Sequence, residues 1–432
     1  MLKKVKKTII KVDRYLFKIF GSEKSIKLLQ NIKEAQEIFS ILNTVGEQSR
    51  VRFVGGCVRK ALSGENIDDI DLATSLKPNE VKEMLLKKNI RVLETGISHG
   101  TLTIILNNKK FEITTLRKDI ATDGRHANVE YTLNWEEDAL RRDFTINAIY
   151  ADIEGRIFDP LKGISDLKDG KIKFIGSTED RIAEDYLRIL RYFRFFIQYS
   201  NENYEESTIK SIKKNINGLN KISNERIFDE LQKILKLKNL YSLFSNRLSK
   251  EIILNIFPQF KYFERLKIIN SLSQNIKEKY DNDLILALII VDETKDHEYF
   301  CHKYRTSNEL ANRFNNISKN YESIKNKKFL TKENIKKMIY LLNKKNVKDL
   351  LLFSFSITNK KNFSEIERMI NFLENLDVPK FPISGDYLKN LGYKTGPELG
   401  DKLKLLEKQW IESDFVLKKE TIEKSLKKIN NN

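Results

Sequence analysis

Between about Gln36 and Asp159 the apolar positions fall in short β-rich runs: Val51-Arg52-Phe53-Val54, Ile70-Asp71-Leu72, Thr101 to Leu106, and Lys110 to Thr115. Such runs mark strands, and the helical spacing from Asn79 to Lys88 separates two of them, which predicts a mixed α/β domain. After about Asp166 the spacing turns helical. Leu, Ile, Phe and Lys dominate, and the prolines there are Pro258, Pro379, Pro382 and Pro397. The expected fold class is α+β, with an N-terminal α/β head and an all-helical remainder. The expected divisions are a Lys-rich extension at 1–35, the head at 36–165, a helical neck and body at 166–300, and a helical tail at 301–432. No internal repeat of fixed period interrupts this plan.

Charge sharpens the picture. Seventy-eight Lys plus Arg against 60 Asp plus Glu give +18, which favours a polyanionic partner; a solvated Lys-rich surface is the plainer alternative. The two cysteines, Cys57 and Cys301, form no CxxC pair, so a zinc site or disulfide framework is not expected and a reducing cytoplasm is. Lysines interrupt every apolar run before Phe20, which argues against a signal peptide, and no stable membrane association is expected.

The candidate chemistry lies in the head. Asp69 and Asp71 are two apart, so on a strand their side chains share a face and can hold divalent cations. Gly55-Gly56 lies between a strand and a short helix from Cys57 to Ser63. Backbone amides of such a turn bind triphosphate oxygens, and Arg59 and Lys60 add cationic reach. An isolated Gly-Gly is commonly a plain turn, and an isolated DxD a solvated strand end. A third carboxylate, Glu112, shares a strand face with Thr114. Together Asp69, Asp71 and Glu112 would position two Mg²⁺ ions for nucleotidyl transfer.

At this point the sequence resembles a known family. Gly55-Gly56-Cys57-Val58-Arg59, Asp69-Ile70-Asp71-Leu72-Ala73-Thr74 and Glu112-Ile113-Thr114-Thr115-Leu116-Arg117 look like the head of the class II CCA-adding tRNA nucleotidyltransferases and the related bacterial poly(A) polymerases. The likeness continues in order through Asp123 to Ala127, Arg141 to Ala148, Asp159-Pro160, Glu184 to Arg188, and Ile222 to Ile227. It spans roughly residues 45 to 235. Lys60 departs from the family, which usually has an acidic residue there.

The resemblance implies a polymerase beta-like nucleotidyltransferase head, an elongated helical neck, body and tail, and addition of C, C and A to tRNA from CTP and ATP with Mg²⁺. It implies no further protein partner. Arg142, Asp143 and Asn147 would select ribose; taken by itself, Asp143 is equally a helix N-cap. Asp185 and Arg188 would read the base, with Glu184 orienting the arginine, because cytosine and adenine share a donor-plus-acceptor edge. Without the resemblance these are ordinary i,i+3 and i,i+4 helical pairs. Asp123, Gly124, Arg125 and His126 would form a flexible loop used in adding the final A, although His126 also suits a plain surface.

The basic helices (Lys210 to Lys214, Lys233 to Lys238, Lys325 to Lys328, Lys418 to Lys428) suit phosphate contacts, or are solvated faces. Ser384, Gly392 and Pro397 predict two capped helices near the end, resembling the tail of bacterial CCA-adding enzymes. The alternatives are a poly(A) polymerase of the same superfamily and a catalytically silent RNA-binding protein.

Overall fold

The computed structural model describes residues 23–43, 50–123, 126–200, 202–325, 331–358 and 363–416. The expected N-terminal extension up to residue 22, Gly124 and Arg125, Asn326 to Lys328, and Lys418 to Lys428 lie outside the described residues. The chain divides into two compact units, Met1–Ile256 and Phe257–Asn432. This single division falls at neither 165/166 nor 300/301, because the helices up to Ile256 gather with the head.

The first unit is built on β1 (Val51–Val54), β2 (Ile70–Thr74), β3 (Arg91–Gly96), β4 (Thr101–Leu106), β5 (Lys109–Thr115), β6 (Arg117–Asp123), β7 (His126–Tyr131), β8 (Tyr150–Ala151) and β9 (Ile157–Phe158). Seven of them form one sheet in the order β3-β4-β5-β2-β1-β8-β9, while β6 and β7 make a separate two-stranded ribbon. Inside the large sheet β2 and β5 run parallel, and their register pairs Ile70 with Phe111, Asp71 with Glu112 and Leu72 with Ile113. The remaining pairings are antiparallel. Alternation is what the sheet needs here: Leu72, Phe111 and Ile113 are buried, whereas Asp71 and Glu112 stay partly open on the other face.

The helix Pro78–Leu86 provides the crossover between β2 and β3. Pro78 stands in its first turn and the Glu80 carboxylate accepts the Lys77 N–H at 2.7 Å. The β3 strand and the ribbon were not expected from the sequence. Asp123 stands opposite His126 in that ribbon, at the two ends of the stretch expected as a loop.

Beyond the sheet, the helix Arg188–Tyr199 lays its aromatic face on the head. The Phe144 ring sits 4.6 Å from Phe174 and 5.4 Å from Phe195, and Phe174 stacks on Tyr192 at 5.7 Å. The helix Gly163–Asp169 is pinned by Asp159, whose carboxylate accepts the Gly163 N–H at 2.7 Å and the Ile164 N–H at 3.0 Å. A Cβ at Gly163 would stand 2.2 Å from the Thr145 carbonyl oxygen, which belongs to backbone and cannot step aside. Gly163→Ala is therefore expected to destabilise the first unit by about 2 kcal/mol or more. Urea denaturation checks this, and an unchanged midpoint would show that the backbone yields there.

The second unit is all helical among its described residues. The helix Asn282–Ile290 buries Leu284 and every residue from Leu286 to Ile290, as an element apolar on all sides must. Arg313 is buried with the Asp349 carboxylate, donating from Nη2 at 2.7 Å and from Nε at 2.5 Å. The two capped helices expected near the end are present as Gly385–Asn390 and Pro397–Glu412. Ser384 Oγ accepts the Tyr387 N–H at 3.1 Å, and Pro397 opens the second helix. Ile383, Leu388, Leu399 and Leu406 form their joint core. Among the described residues no helix is long and apolar enough to cross a membrane.

Candidate active site

Strand pairing brings the expected carboxylates together. Asp71 and Glu112 are direct neighbours across the parallel β2–β5 pair, and Asp69 is exposed immediately before β2. Burial, then the charge of Glu112, raises the Asp71 carboxyl to about 6; Asp69 adds to the rise, while Arg142 and Arg59 oppose it. Among the described residues no three His, Cys, Asp or Glu side chains are gathered tightly enough to hold a metal ion as they stand. Asp69 faces solvent, and Glu112 Oε1 accepts from Lys110 Nζ at 2.6 Å. The donor set nevertheless fits a hard divalent cation. It consists of carboxylate oxygens, and both causes that raise the Asp71 carboxyl, burial first and the Glu112 charge second, are ones that a bound cation would offset.

The glycine turn abuts these carboxylates. Gly55 adopts φ +68°, a conformation few side chains tolerate, and caps the helix Gly56–Leu62. A Cβ on Gly56 would lie 3.7 Å from Asp71 Oδ2, and one on Gly55 would lie 3.6 Å from Arg142 Nη1. The turn thus runs between a carboxylate and a guanidinium, with backbone in close approach to both.

The two cations expected beside the turn are placed otherwise. Arg59 is buried: Nη1 donates to Asn147 Oδ1, and its guanidinium lies over the rings of Phe195 at 4.6 Å and Tyr199 at 5.2 Å. It braces the helix Arg188–Tyr199 against the turn instead of reaching out from it. Lys60 pairs with Asp68, so the family's departure at this position keeps an ion pair of its own.

Arg142, Asp143 and Asn147 also divide their work. The Asp143 carboxylate is buried and accepts from the Phe144 N–H at 2.9 Å, Asn147 Nδ2 at 2.7 Å and Arg191 Nε at 2.7 Å. Burial opposes its ionisation, but Arg191 and Asn147 overcome this and hold the carboxyl well below the usual range. It does not cap an α-helix, and its arginine partner is Arg191. Arg142 turns instead to Asp138, donating from Nη2 at 2.9 Å and Nε at 3.1 Å.

Glu184, Asp185 and Arg188, expected to read the base, do not lie on one helix. The helix Thr178–Glu184 ends, Asp185 is its extended C-cap, and a new helix begins at Arg188. Asp185 causes the break: Oδ1 accepts the Leu187 N–H at 3.2 Å, and Oδ2 accepts Arg226 Nη2 at 2.8 Å from the helix Asn224–Leu235. Glu184 meets Arg188 Nη1 at 2.5 Å and also Arg181 Nη1 at 2.9 Å. The expected Glu184–Arg188 contact is therefore present, whereas Asp185 and Arg188 are joined through the backbone, Arg188 N–H to Asp185 carbonyl at 3.0 Å.

Sequence reasoning missed Asp138, Tyr150, Arg181, Arg191 and Arg226. Arg226 lies within the motif Ile222 to Ile227, and Arg191 follows Arg188 by one helical turn, so both left a signal in the spacing. The lysines expected to meet phosphate are in part occupied: Lys213 pairs with Glu251, Lys214 with Glu179 and Lys325 with Glu322.

The family described as "Poly A polymerase head domain" matches residues 51–173, and "Probable RNA and SrmB- binding site of polymerase A" matches 203–263. The mitochondrial CCA tRNA nucleotidyltransferase 1 of Mus musculus is 32% identical, covering 96% of this chain and 95% of the mouse protein. The CCA-adding enzyme of Streptococcus uberis is 30% identical over 92% of this chain and 98% of its own. The crystal structure of the Bacillus stearothermophilus CCA-adding enzyme in complex with CTP superposes with a TM-score of 0.73 at 22% identity, covering 93% of this chain and 99% of that one, and so shares the fold. Identity that runs end to end through head and helices alike decides the matter: this chain belongs to the CCA-adding enzymes, the class II tRNA nucleotidyltransferases.

Proposed function

We propose that this chain adds C, C and A to the 3′ end of tRNA from CTP and ATP, without a template and with release of pyrophosphate. The observation that carries the reading is the pairing of Asp71 with Glu112 beside the Gly55–Gly56 turn, in a chain similar along its whole length to CCA-adding enzymes. Relatives named for CCA addition in mouse and Streptococcus alike favour this activity over poly(A) synthesis.

Asp69, Asp71 and Glu112 would hold Mg²⁺, which supplies Lewis-acid activation of the attacking 3′-hydroxyl and neutralises charge on the departing pyrophosphate. The Gly55–Gly56 amides receive the triphosphate, with Arg142 Nη1 at their side. Asp143 and Asn147 bear on ribose by holding the turn and the helix Arg188–Tyr199 in place, through the run Arg59, Asn147, Asp143 and Arg191. Arg188 has Nη1 fixed by Glu184, so a base edge meets its other nitrogens, while Asp185 stands steadied by Arg226. Asp123 and His126, paired in the ribbon, would act in the final step. We place the enzyme in the cytoplasm, supported by two buried, unlinked cysteines.

The test is a tRNA lacking its last three nucleotides, offered CTP, ATP or both. Two Cs from CTP and CCA from both support the reading. Long A tails from ATP would point to a poly(A) polymerase, and no extension to a binding protein.

The raised Asp71 carboxyl sets a pH dependence with opposite signs for folding and for cation binding. The folded chain holds that proton more tightly than the unfolded chain, so this group lowers metal-free stability as pH rises from the ordinary carboxylate range to about 6, and no further above it. Cation binding needs the ionised form. Mn²⁺ affinity is expected to fall about tenfold from pH 7 to pH 5. Electron paramagnetic resonance of free Mn²⁺ measures it, and a flat profile would remove Asp71 from the ligand set.

A further inference from the structure

We infer that Asp138, together with Tyr150, is a positioning residue for nucleotide binding: the two lock the Arg142 guanidinium so that Nη1 faces the Gly55–Gly56 turn. This rests on the reading of Arg142 as a nucleotide contact.

The helix Trp135–Leu140 carries Asp138 three and four residues before Arg141 and Arg142, and the carboxylate is 1% exposed. Oδ1 accepts from Arg141 Nε at 2.8 Å. Oδ2 accepts from Arg142 Nη2 at 2.9 Å, from Arg142 Nε at 3.1 Å and from the Tyr150 hydroxyl at 2.7 Å. The same hydroxyl accepts from Arg142 Nε at 3.0 Å. Three groups therefore close on one another, and Arg142 cannot rotate without breaking several buried hydrogen bonds at once. Tyr150 is itself fixed, with its ring against Trp135 at 5.5 Å and Phe158 at 5.8 Å.

What the lock leaves over is Nη1. It is the atom that a Gly55 Cβ would approach at 3.6 Å, and the Arg142 charge opposes the rise of the Asp71 carboxyl across the turn. An exposed helical ion pair would hold an arginine loosely. Here a buried carboxylate and a phenol take two of its nitrogens and leave the third beside Gly55 of the turn. A phosphate oxygen lying along the turn meets Nη1 without reorganisation of the side chain.

The experiment is steady-state kinetics of the full chain on tRNA lacking its last three nucleotides, with CTP and ATP varied. The variants are Asp138→Asn, Tyr150→Phe, Arg142→Ala and each of the first two combined with Arg142→Ala. Asp138→Asn is expected to raise KM for CTP and ATP by the same factor, on the order of tenfold, with a smaller change in kcat. Tyr150→Phe moves KM in the same direction by less. Neither substitution adds to Arg142→Ala, since both act through it.

Effects that multiply with Arg142→Ala would overturn the inference, as would unchanged KM in a folded Asp138→Asn protein. Should Asp138→Asn fail to fold, the Tyr150→Phe and Arg142→Ala cycle decides in the same way. If Arg142→Ala itself leaves KM untouched, the underlying reading of Arg142 fails, which is a distinguishable result.

Discussion

Asp71→Asn is expected to reduce nucleotide addition by about a thousandfold or more, because it removes the most enclosed of three carboxylates that would hold the cation and no neighbour can replace it. The same substitution is expected to leave the metal-free fold intact or to stabilise it. Ionised Asp71 is held against burial and against Glu112, and its carboxyl is accordingly raised to about 6. A neutral isostere relieves a repulsion on the order of 1–3 kcal/mol, so Tm without metal rises by a few degrees. Loss of activity together with a sharply lower Tm would instead mean that Asp71 serves the fold. A site residue that costs stability where a neutral one would not is what function demands of a cation site.

The second large effect concerns nucleotide choice. Asp185→Ala is expected to relax preference for CTP and ATP over UTP and GTP by about 10- to 100-fold, the range a charge-assisted hydrogen bond to a base supplies. Two consequences follow from its surroundings. The helix break at Asp185 loses the Leu187 N–H acceptor, and Arg226 loses the carboxylate it holds. Arg226→Ala should then relax selectivity in the same direction while leaving the Asp185 side chain in place. Competition assays with all four nucleotides on tRNA lacking its last three residues provide the measurement. Unchanged preference in both variants would remove Asp185 from base reading.

How far these features could be read from the chain depends on how local their causes are. Along β5 burial alternates, with Phe111, Ile113 and Thr115 covered and Glu112 and Thr114 partly open, so a period of two survives in sequence. The strands β1, β2 and β4 are buried in continuous stretches and are legible as short apolar, β-rich runs. At β3 the residues Arg91 to Gly96 are nowhere buried, and an edge strand with no buried face leaves no alternation to find. The ribbon from Arg117 to Tyr131 is mostly polar in sequence, and Asp123-Gly124, which is also a hairpin signal, reads equally well as an open loop. The caps at Ser384 and Pro397 were legible because they act within three residues.

Arg59 shows the limit. A cation after a glycine turn suggests phosphate, but Phe195, Tyr199 and Asn147 come from distant positions to enclose it, and no local pattern announces them. The helix break at Asp185 is similar. Glu184 to Arg188 has ordinary helical spacing, and it takes Arg226 from another helix to make a capped break worth forming.

The parallel register of β2 with β5 has a consequence for how the enzyme comes into being. On the ribosome, Asp69 and Asp71 emerge first, then the crossover helix, β3 and β4 must be made before Glu112 can arrive beside them. Until then the carboxylate strand has no partner on that side, and closing so long a loop delays the pairing further. The nascent head thus passes its early life without the carboxylate pair proposed to hold the cation, and Mn²⁺ binding by stalled, truncated chains of increasing length would mark the moment when β5 has docked.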